Sequence, residues 1–437
     1  LKLPPRSSVR CPPHTSCSDS MPETGTSAME EPLQRPMRVL VVSDYMPPQT
    51  HGIATHSSDL VSWLRAVGCI VHVFTTCGEP NEFHSLLYSF ANPFNPHVRS
   101  AFLPSCSLLW NSLAGDWDVI HILYPTLIAW PVIFFGWLSG KTVYISHHCK
   151  EQLGKLYLNV VVYYMALLSS MMIATLPAFF FATINAGATE GYNKEHVLWR
   201  HLAPERVAVV PSSVDAILFN PHGRAEDRIS LRKGLGLPSD QVVWLVVSRL
   251  AIEKRIGEVI EALKLHRETW PKERQPELVI VGDGPVRNTL QAQASKDSLP
   301  VHFLGYVPHS EVARLYRASD VCATCSVQET FGLTLIEAMA CDCPQVMPHC
   351  DVFDELYGNV IGEWMFKDDD RADLVRALRA ASTPASAKHL AALKQNGGFG
   401  PTIFWSWRDA ALAQVEQYRH GQRLVDSTRW CCHRRRK

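Results

Sequence analysis

Short apolar runs alternate with amphipathic stretches along most of the chain. In the first half the apolar runs are MRVLVVS, CIVHVFT, WDVIHIL and KTVYISHH, and residues 52–66 between the first two have a helical pattern. The second half repeats the scheme with VVWLVVS, ELVIVGDG, VHFLGYV, DVCATCS and CPQVMPH, separated by helical stretches such as HSEVARLYRAS. Apolar strands that alternate with helices indicate βαβ units and parallel sheets. The pattern predicts an α/β protein with two doubly wound domains that face each other across a cleft.

The domain boundary is expected in VPSSVDAILFNPHGRAEDR, residues 210–228, because a strand gives way there to polar, proline-containing sequence. The predicted order is a disordered tail (1–36), a first domain (37–213), a second domain (214–402), a final helix that packs back on the first domain (403–424) and a basic tail (425–437).

Residues 1–36 are rich in Pro, Ser and Thr and contain no apolar core segment, so we expect them to be disordered. Their basic and hydroxyl residues are like those of an organelle transit peptide. The four acidic residues Asp19, Glu23, Glu30 and Glu31 argue against one, so targeting stays open.

Composition and charge fit a globular protein of two domains. The chain has 437 residues, of which 46% are hydrophobic and 19% charged, and its 42 basic residues balance 42 acidic ones. Nothing in this balance favours nucleic acid as a partner.

The thirteen cysteines lie mostly inside apolar runs, which suits reduced core residues and a reducing compartment. The pairs Cys322/Cys325 and Cys341/Cys343 are an alternative as metal ligands. They fall in or beside predicted strands and helices rather than on turns, so we expect no metal site.

Two uncharged stretches, residues 123–140 and 156–184, have the length of a membrane span. Pro131 and Pro177 interrupt them, and the alternation requires a helix in the first and a helix plus a strand in the second. We therefore prefer buried helices to spans, while their apolar character is also compatible with a surface that rests on a bilayer.

Two motifs of the second half suit phosphate binding. In VVSRLAIEKR, Arg249 and Lys254 follow a strand at the edge where doubly wound sheets bind ligands, and an Arg fork with a Lys charge suits a diphosphate. The alternative is that these two residues only lie at a solvent-exposed helix start and bind no ligand. In VGDGPV, Gly282 begins a tight turn that allows main-chain amides to approach a ligand.

The stretch QETFGLTLIEAMAC places Glu329 before a predicted helix and Glu337 inside it. An unpartnered buried carboxylate is costly, so each needs either a cation or a ligand. The helix start has free amides that favour a phosphate, and carboxylates accept hydrogen bonds from sugar diols. The residues of that helix start are Phe331, Gly332 and Leu333.

Taken together, the E-x7-E pair, SRLAIEK, GDGP and the near-terminal FWSWRDAA resemble glycosyltransferase family 4, retaining enzymes of the GT-B fold, over residues 37–421. The resemblance implies a nucleotide-sugar donor held mainly by the second domain. It assigns the diphosphate to Arg249 and Lys254, the ribose to Glu337, the sugar and its phosphate to Glu329 with the amides of 331–333, and the base to Tyr306 and Val307.

In the first domain the resemblance matches Gly52 to a glycine-rich loop near the donor phosphates and His148, after His147 in YISHHCK, to the active-site histidine. It implies no metal and no cofactor beyond the nucleotide-sugar. Retention would follow from departure of the diphosphate with attack on the same face, which requires charge stabilisation rather than a protein nucleophile.

Within the family the chain is most similar to plant and algal sulfoquinovosyltransferases. This similarity implies UDP-sulfoquinovose as donor and diacylglycerol as lipid acceptor. It also implies peripheral association with a membrane, either in the chloroplast or at a cytosolic membrane face. Related glucosyl- and mannosyltransferases of glycolipids share much of the resemblance. A catalytically silent nucleotide-sugar-binding protein and a membrane-spanning protein are the alternatives from other classes. Two departures bear on acceptor and sugar: Ser212 and Ser213 in PSSVD, and CDVFDELYG at residues 350–358.

Overall fold

The computed structural model describes residues 35–49, 52–92, 95–101, 103–123, 128–147, 183–195, 202–210, 212–271, 275–397, 399 and 406–434. Nearly all of the N-terminal tail, His148 and most of the apolar stretch 156–184 therefore lie outside the described residues.

The first domain is built on a parallel sheet of seven strands in the order β3-β2-β1-β6-β7-β8-β9. An antiparallel pair, β4 with β5, stands apart from this sheet. The strands are β1 (Arg38–Ser43), β2 (Ile70–Thr75), β3 (His84–Leu86), β4 (Ser89–Asn92), β5 (Asn95–Ala101), β6 (Val119–Leu123), β7 (Thr142–Ser146), β8 (Thr183–Gly187) and β9 (Val207–Val209).

Helices cover both faces of the first sheet, because successive residues of a strand point to opposite faces. Val39 and Val41 pack on one face, whereas Leu40 and Val42 pack on the other. The described helices are α1 (Gly52–Ala66), α2 (Cys106–Ala114), α3 (Ala129–Leu138) and α4 (Glu190–Glu195), with a 3-10 turn at Pro204–Arg206.

The second domain repeats this design with a parallel sheet of six strands in the order β12-β11-β10-β13-β14-β15. Strand order reverses between β10 and β13, which creates a crevice at the carboxyl ends of the strands. These strands are β10 (Val243–Val247), β11 (Glu277–Val281), β12 (Val301–Gly305), β13 (Val321–Ala323), β14 (Gln345–Pro348) and β15 (Met365–Phe366).

The second core contains Ala188 and residues between Val214 of the junction and Phe399. Its helices are α5 (Arg224–Leu235), α6 (Ile256–Thr269), α7 (Arg287–Lys296), α8 (His309–Ala318), α9 (Leu333–Ala340), α10 (Asp351–Ile361), α11 (Arg371–Ala381) and α12 (Pro384–Gln395), with 3-10 turns at Ile252–Lys254 and Gly362–Trp364. The prediction of two doubly wound α/β domains is confirmed.

The last helix, α13 (Trp407–Arg434), returns to the first domain. Trp407, Ala411 and Tyr418 are buried in the core formed by β1, β2 and α1. A Cβ on Gly421 would lie 2.7 Å from Thr142 Cγ2, so the helix crosses β7 closely.

The first apolar stretch contributes a helix of ten residues, α3, to the first domain. Val132 and Ile133 of this helix are buried against the sheet, whereas Phe134, Trp137 and Leu138 are exposed. Among the residues that the structure describes, no helix has both the length and the apolar composition needed to cross a membrane.

Candidate active site

Two cations and two carboxylates form two neighbouring ion pairs beyond the end of β10. Arg249 follows this strand, is about half exposed and pairs with Glu253, whose carboxylate is buried. Lys254 closes the adjacent 3-10 turn, and its Nζ lies 2.5 Å from Glu329 Oε1. Each cation is therefore held at the cleft by a carboxylate that also offsets its charge.

Glycines bring the end of β11 against the end of β10. Gly282 has φ +124°, and a Cβ there would lie 1.9 Å from the carbonyl oxygen of Ser248. A Cβ on Gly284 would lie 2.3 Å from the carbonyl oxygen of Leu250. The predicted tight turn is therefore built against the main chain on both sides of Arg249, and only glycine fits it.

Helix α9 begins at Leu333, four residues after Glu329, so its amino end lies at the same cleft. Gly332 is its N-cap residue with φ +85°, and no described side chain caps it. The side chain of Phe331 is buried in the core, so only its main chain is available to a ligand. The free amides at this end favour an anion.

Glu337, one turn into α9, is nearly buried and its two oxygens have different partners. Oε1 lies 3.0 Å from His309 Nε2, and Oε2 accepts a hydrogen bond of 3.2 Å from the Tyr316 hydroxyl. Each carboxylate oxygen can accept more than one hydrogen bond, so both keep capacity for a ligand. Glu329 is held by a cation, and Glu337 by a histidine and a tyrosine.

The two residues predicted to hold a base differ in their surroundings. Tyr306, just after β12, is exposed, and its ring is free to stack on a planar ligand. The side chain of Val307 packs partly against the second core, so its main chain rather than its side chain would contact a base.

The first domain faces this cluster through the start of α1. Gly52 is exposed, and a Cβ on it would lie 3.9 Å from Leu333 Cδ1, so the two helix starts approach each other across the cleft. His147, at the end of β7, is buried, and its main-chain N–H donates to the carbonyl oxygen of Ala186. His148 lies outside the described residues.

Asp59, on α1, was missed by sequence reasoning and interacts electrostatically with Glu337 and His309 of the opposite domain. Burial raises the pKa of the Asp59 carboxyl to about 6; the charge of His309 acts in the opposite direction, and those of Asp215 and Glu337 add to the rise. The pKa of His309 is raised by its hydrogen bond to Glu337, against the effect of burial, and further by the charges of Glu337, Asp59 and Asp215. The four residues form one electrostatic cluster.

The two departures noted in the sequence have different surroundings. Ser212 Oγ lies 3.0 Å from Nδ1 of the buried His56 of α1, whose ring is 5.3 Å from that of Trp407. The stretch CDVFDELYG lies largely in α10. Its Glu355 accepts hydrogen bonds from the main-chain N–H groups of Glu190 and Gly191, at the start of α4. Glu355 therefore joins the domains, whereas Ser212 contacts His56 within residues 37–213, the predicted first domain.

The cysteine pairs considered as metal ligands lie in the second core. Burial raises the pKa of the Cys322 and Cys341 thiols to about 12 and that of Cys343 well above its ordinary value. Neutral thiols are poor metal ligands. Within the described part of the chain no group of three or more His, Cys, Asp or Glu side chains is arranged to hold a metal ion.

Residues 227–397 match the family model of the glycosyl transferases group 1. Over these residues the second domain is similar to that family. The match includes Arg249, Lys254, Glu329, Glu337 and His309.

Relatives with curated names extend the likeness to the first domain. An alpha-monoglucosyldiacylglycerol synthase of Acholeplasma laidlawii is 33% identical over 33% of this chain and 37% of its own length, well under two thirds of that relative. A second enzyme of this name, from Streptococcus pneumoniae, is 25% identical over 76% of this chain and 74% of its own. The sulfoquinovosyl transferase SQD2 of Arabidopsis thaliana is 23% identical over 80% and 67%.

Solved structures share the two-domain arrangement. The Alr3699/HepE protein of Anabaena, crystallised in complex with UDP, has a TM-score of 0.63 with 17% identity, covering 87% of this chain and 99% of that one. At this identity the likeness shows the fold, which is GT-B as predicted.

Proposed function

We propose that this protein is a glycosyltransferase that moves a hexosyl group from a nucleotide-sugar to a lipid acceptor. The observation that supports this most is the convergence at one sheet edge of Arg249, Lys254, the uncapped start of α9 and the carboxylates of Glu329 and Glu337. Cations and amides suit a diphosphate, and carboxylates suit sugar hydroxyls. A nucleotide-sugar combines these groups in one molecule.

The same groups supply the chemistry of transfer. As the bond from the sugar to the diphosphate breaks, negative charge develops on the leaving oxygen, and Arg249, Lys254 and the amides of α9 are preorganised to stabilise it. Such stabilisation needs neither a metal nor a protein nucleophile, and attack by the acceptor on the face that the diphosphate leaves gives retention. We assign His148 to orienting the transferred sugar or the acceptor.

The proposed donor and acceptor are UDP-sulfoquinovose and diacylglycerol. The motif resemblance and the likeness to a sulfoquinovosyl transferase over most of both chains support this pair. A second candidate is transfer of a glucosyl group to a diacylglycerol-based acceptor, which the names of the Acholeplasma and Streptococcus relatives favour. Peripheral association with the acceptor's membrane fits the exposed Phe134, Trp137 and Leu138 of α3.

A donor panel tests the proposal. The full chain is titrated by calorimetry with UDP, GDP and ADP, then with UDP-sulfoquinovose and UDP-glucose, and transfer to diacylglycerol in vesicles is assayed with each donor. Selective binding of UDP and faster transfer from UDP-sulfoquinovose would support the sulfolipid pair, and faster transfer from UDP-glucose the second candidate.

Binding without transfer to any acceptor would favour a silent nucleotide-sugar-binding protein. Absence of binding by a folded sample would overturn the proposed function. As a control, Lys254→Ala should weaken binding roughly tenfold to a hundredfold, the scale of a lost hydrogen bond to a charged group.

A further inference from the structure

We propose that His309 is a positioning residue of the donor site, which holds the Glu337 carboxylate toward the ribose of the bound nucleotide. This inference rests on the proposed function, because it assigns Glu337 to the ribose. It adds a residue that the E-x7-E pattern does not contain.

The His309 ring is held between Phe219 and Glu337, and its Nε2 faces the Glu337 carboxylate. His309 is the first residue of α8, and the ring of Phe219 meets it edge-on with centroids 5.0 Å apart. Its Nε2 is 3.0 Å from Glu337 Oε1, and about half of its side chain remains exposed to the cleft. The ring therefore lies between a carboxylate and the space that a ligand would enter.

The hydrogen bonds leave Glu337 competent to bind a diol. His309 takes one position on Oε1 and Tyr316 one on Oε2, so each oxygen retains a lone pair for a hydroxyl. Two fixed partners restrict rotation of the carboxylate and preorganise it for adjacent hydroxyl groups. Without His309, Glu337 would be a poorly oriented and nearly buried anion.

Charge explains why a histidine suits this position. The charges of three carboxylates act on it: Glu337 on α9, Asp215 in the domain junction and Asp59 on α1. These carboxylates repel one another, and one imidazolium reduces the repulsion. A histidine here therefore both orients Glu337 and offsets part of the negative charge around it.

The test compares binding of UDP with binding of 2′,3′-dideoxy-UDP, which lacks the hydroxyls, to the full chain. His309→Ala should weaken binding of UDP about tenfold, the scale of one lost charge-assisted hydrogen bond, and change binding of the dideoxy compound less than about twofold. His309→Gln retains a donor near the position of Nε2 and should recover part of the affinity for UDP.

The pH profile separates positioning from a structural role. In the wild type, affinity for UDP should fall as the pH rises and His309 loses its proton, and this dependence should be absent in His309→Gln. Because Asp59 titrates nearby, Asp59→Asn is measured in parallel and should keep the part of the profile that belongs to His309.

His302→Gln is the matched control. His302 pairs with Glu277 at 2.8 Å near the amino ends of β12 and β11, whereas the proposed site lies at the carboxyl ends of the strands. It should bind both compounds as the wild type does. If the His309 variants bind UDP like His302→Gln at every pH, or lose affinity equally for the dideoxy compound, the inference is overturned. If the folded wild type binds no nucleoside diphosphate, the proposed function fails, and the inference with it.

Discussion

Lys254 forms an ion pair with Glu329, although 75 positions separate the two residues in the chain. The pair brings together the cation proposed to bind the diphosphate and the carboxylate proposed to bind the sugar. Binding of a diphosphate must therefore compete with Glu329 for the charge of Lys254, while the carboxylate remains near the sugar.

Glu329→Gln is expected to separate these two effects. Loss of the carboxylate leaves the Lys254 charge to the diphosphate, so UDP should bind about twofold to fivefold more tightly, the scale of a partly screened ion pair. The rate of transfer should fall, because the amide is a weaker acceptor for sugar hydroxyls. Calorimetry and turnover under saturating donor measure both.

Glu268→Gln, which removes the same charge from an exposed position near the end of α6, is the control and should change neither quantity. Unchanged affinity for UDP in Glu329→Gln would show that Lys254 does not meet the diphosphate.

Gly282→Ala is expected to damage the turn after β11. A Cβ would lie 1.9 Å from a carbonyl oxygen of the neighbouring turn, so main chain has to move, and the free energy of unfolding should fall by about 3 kcal/mol or more. Gly236→Ala is a matched control in the same domain, since Gly236 also has positive φ but has no atom within 4 Å of its added Cβ. Urea unfolding should show a loss of about 1–2 kcal/mol for that control. Equal losses in both variants would contradict the close approach.

Asp59→Asn is expected to change how stability depends on pH. Because the pKa of Asp59 is raised from 3.8 to about 6 in the folded chain, the folded state binds this proton more tightly than the unfolded state. The contribution of Asp59 is therefore most favourable below pH 4 and is lost as the pH rises through 6. The stability of the wild type relative to Asp59→Asn should decline over this interval in urea unfolding, and a constant difference would refute the shift.

Tyr418→Phe is expected to destabilise the attachment of α13 to the first domain. The Tyr418 hydroxyl lies 2.6 Å from Nδ1 of the buried His121, whose Nε2 lies 2.7 Å from Ser146 Oγ. Removing the hydroxyl leaves a buried imidazole nitrogen without this partner, which costs about 1–3 kcal/mol. Thermal unfolding should show the loss, whereas Tyr88→Phe, at an exposed tyrosine, should leave the midpoint unchanged.

The strands of both sheets could be predicted because parallel strands buried on two faces are continuous apolar runs, as at residues 39–42. The three residues His84–Leu86 form β3 without such a run, and the sequence pattern does not reveal them. Residues 350–358, one of the two departures from the family pattern, lie largely in α10, whose amphipathic face packs Val352, Phe353 and Leu356 into the core.

For the site, the rule that ligands bind at the carboxyl ends of strands is enough to select Arg249, Lys254, Glu329 and the start of α9. His309 obeys the same rule, since it follows β12, but nothing in its local sequence indicates that it reaches Glu337. The position of Asp59 depends on how the two domains face each other, which no local pattern contains. Partners across a cleft are set by tertiary packing.

Because Val214 is part of the second core and Trp407 is again part of the first, the second domain is an insert joined to the first domain at both ends. Two connections of the chain, rather than one, join the domains, and together they restrict how far the domains can rotate relative to each other. Cutting either connection would leave the domains joined at one point and remove part of that restriction.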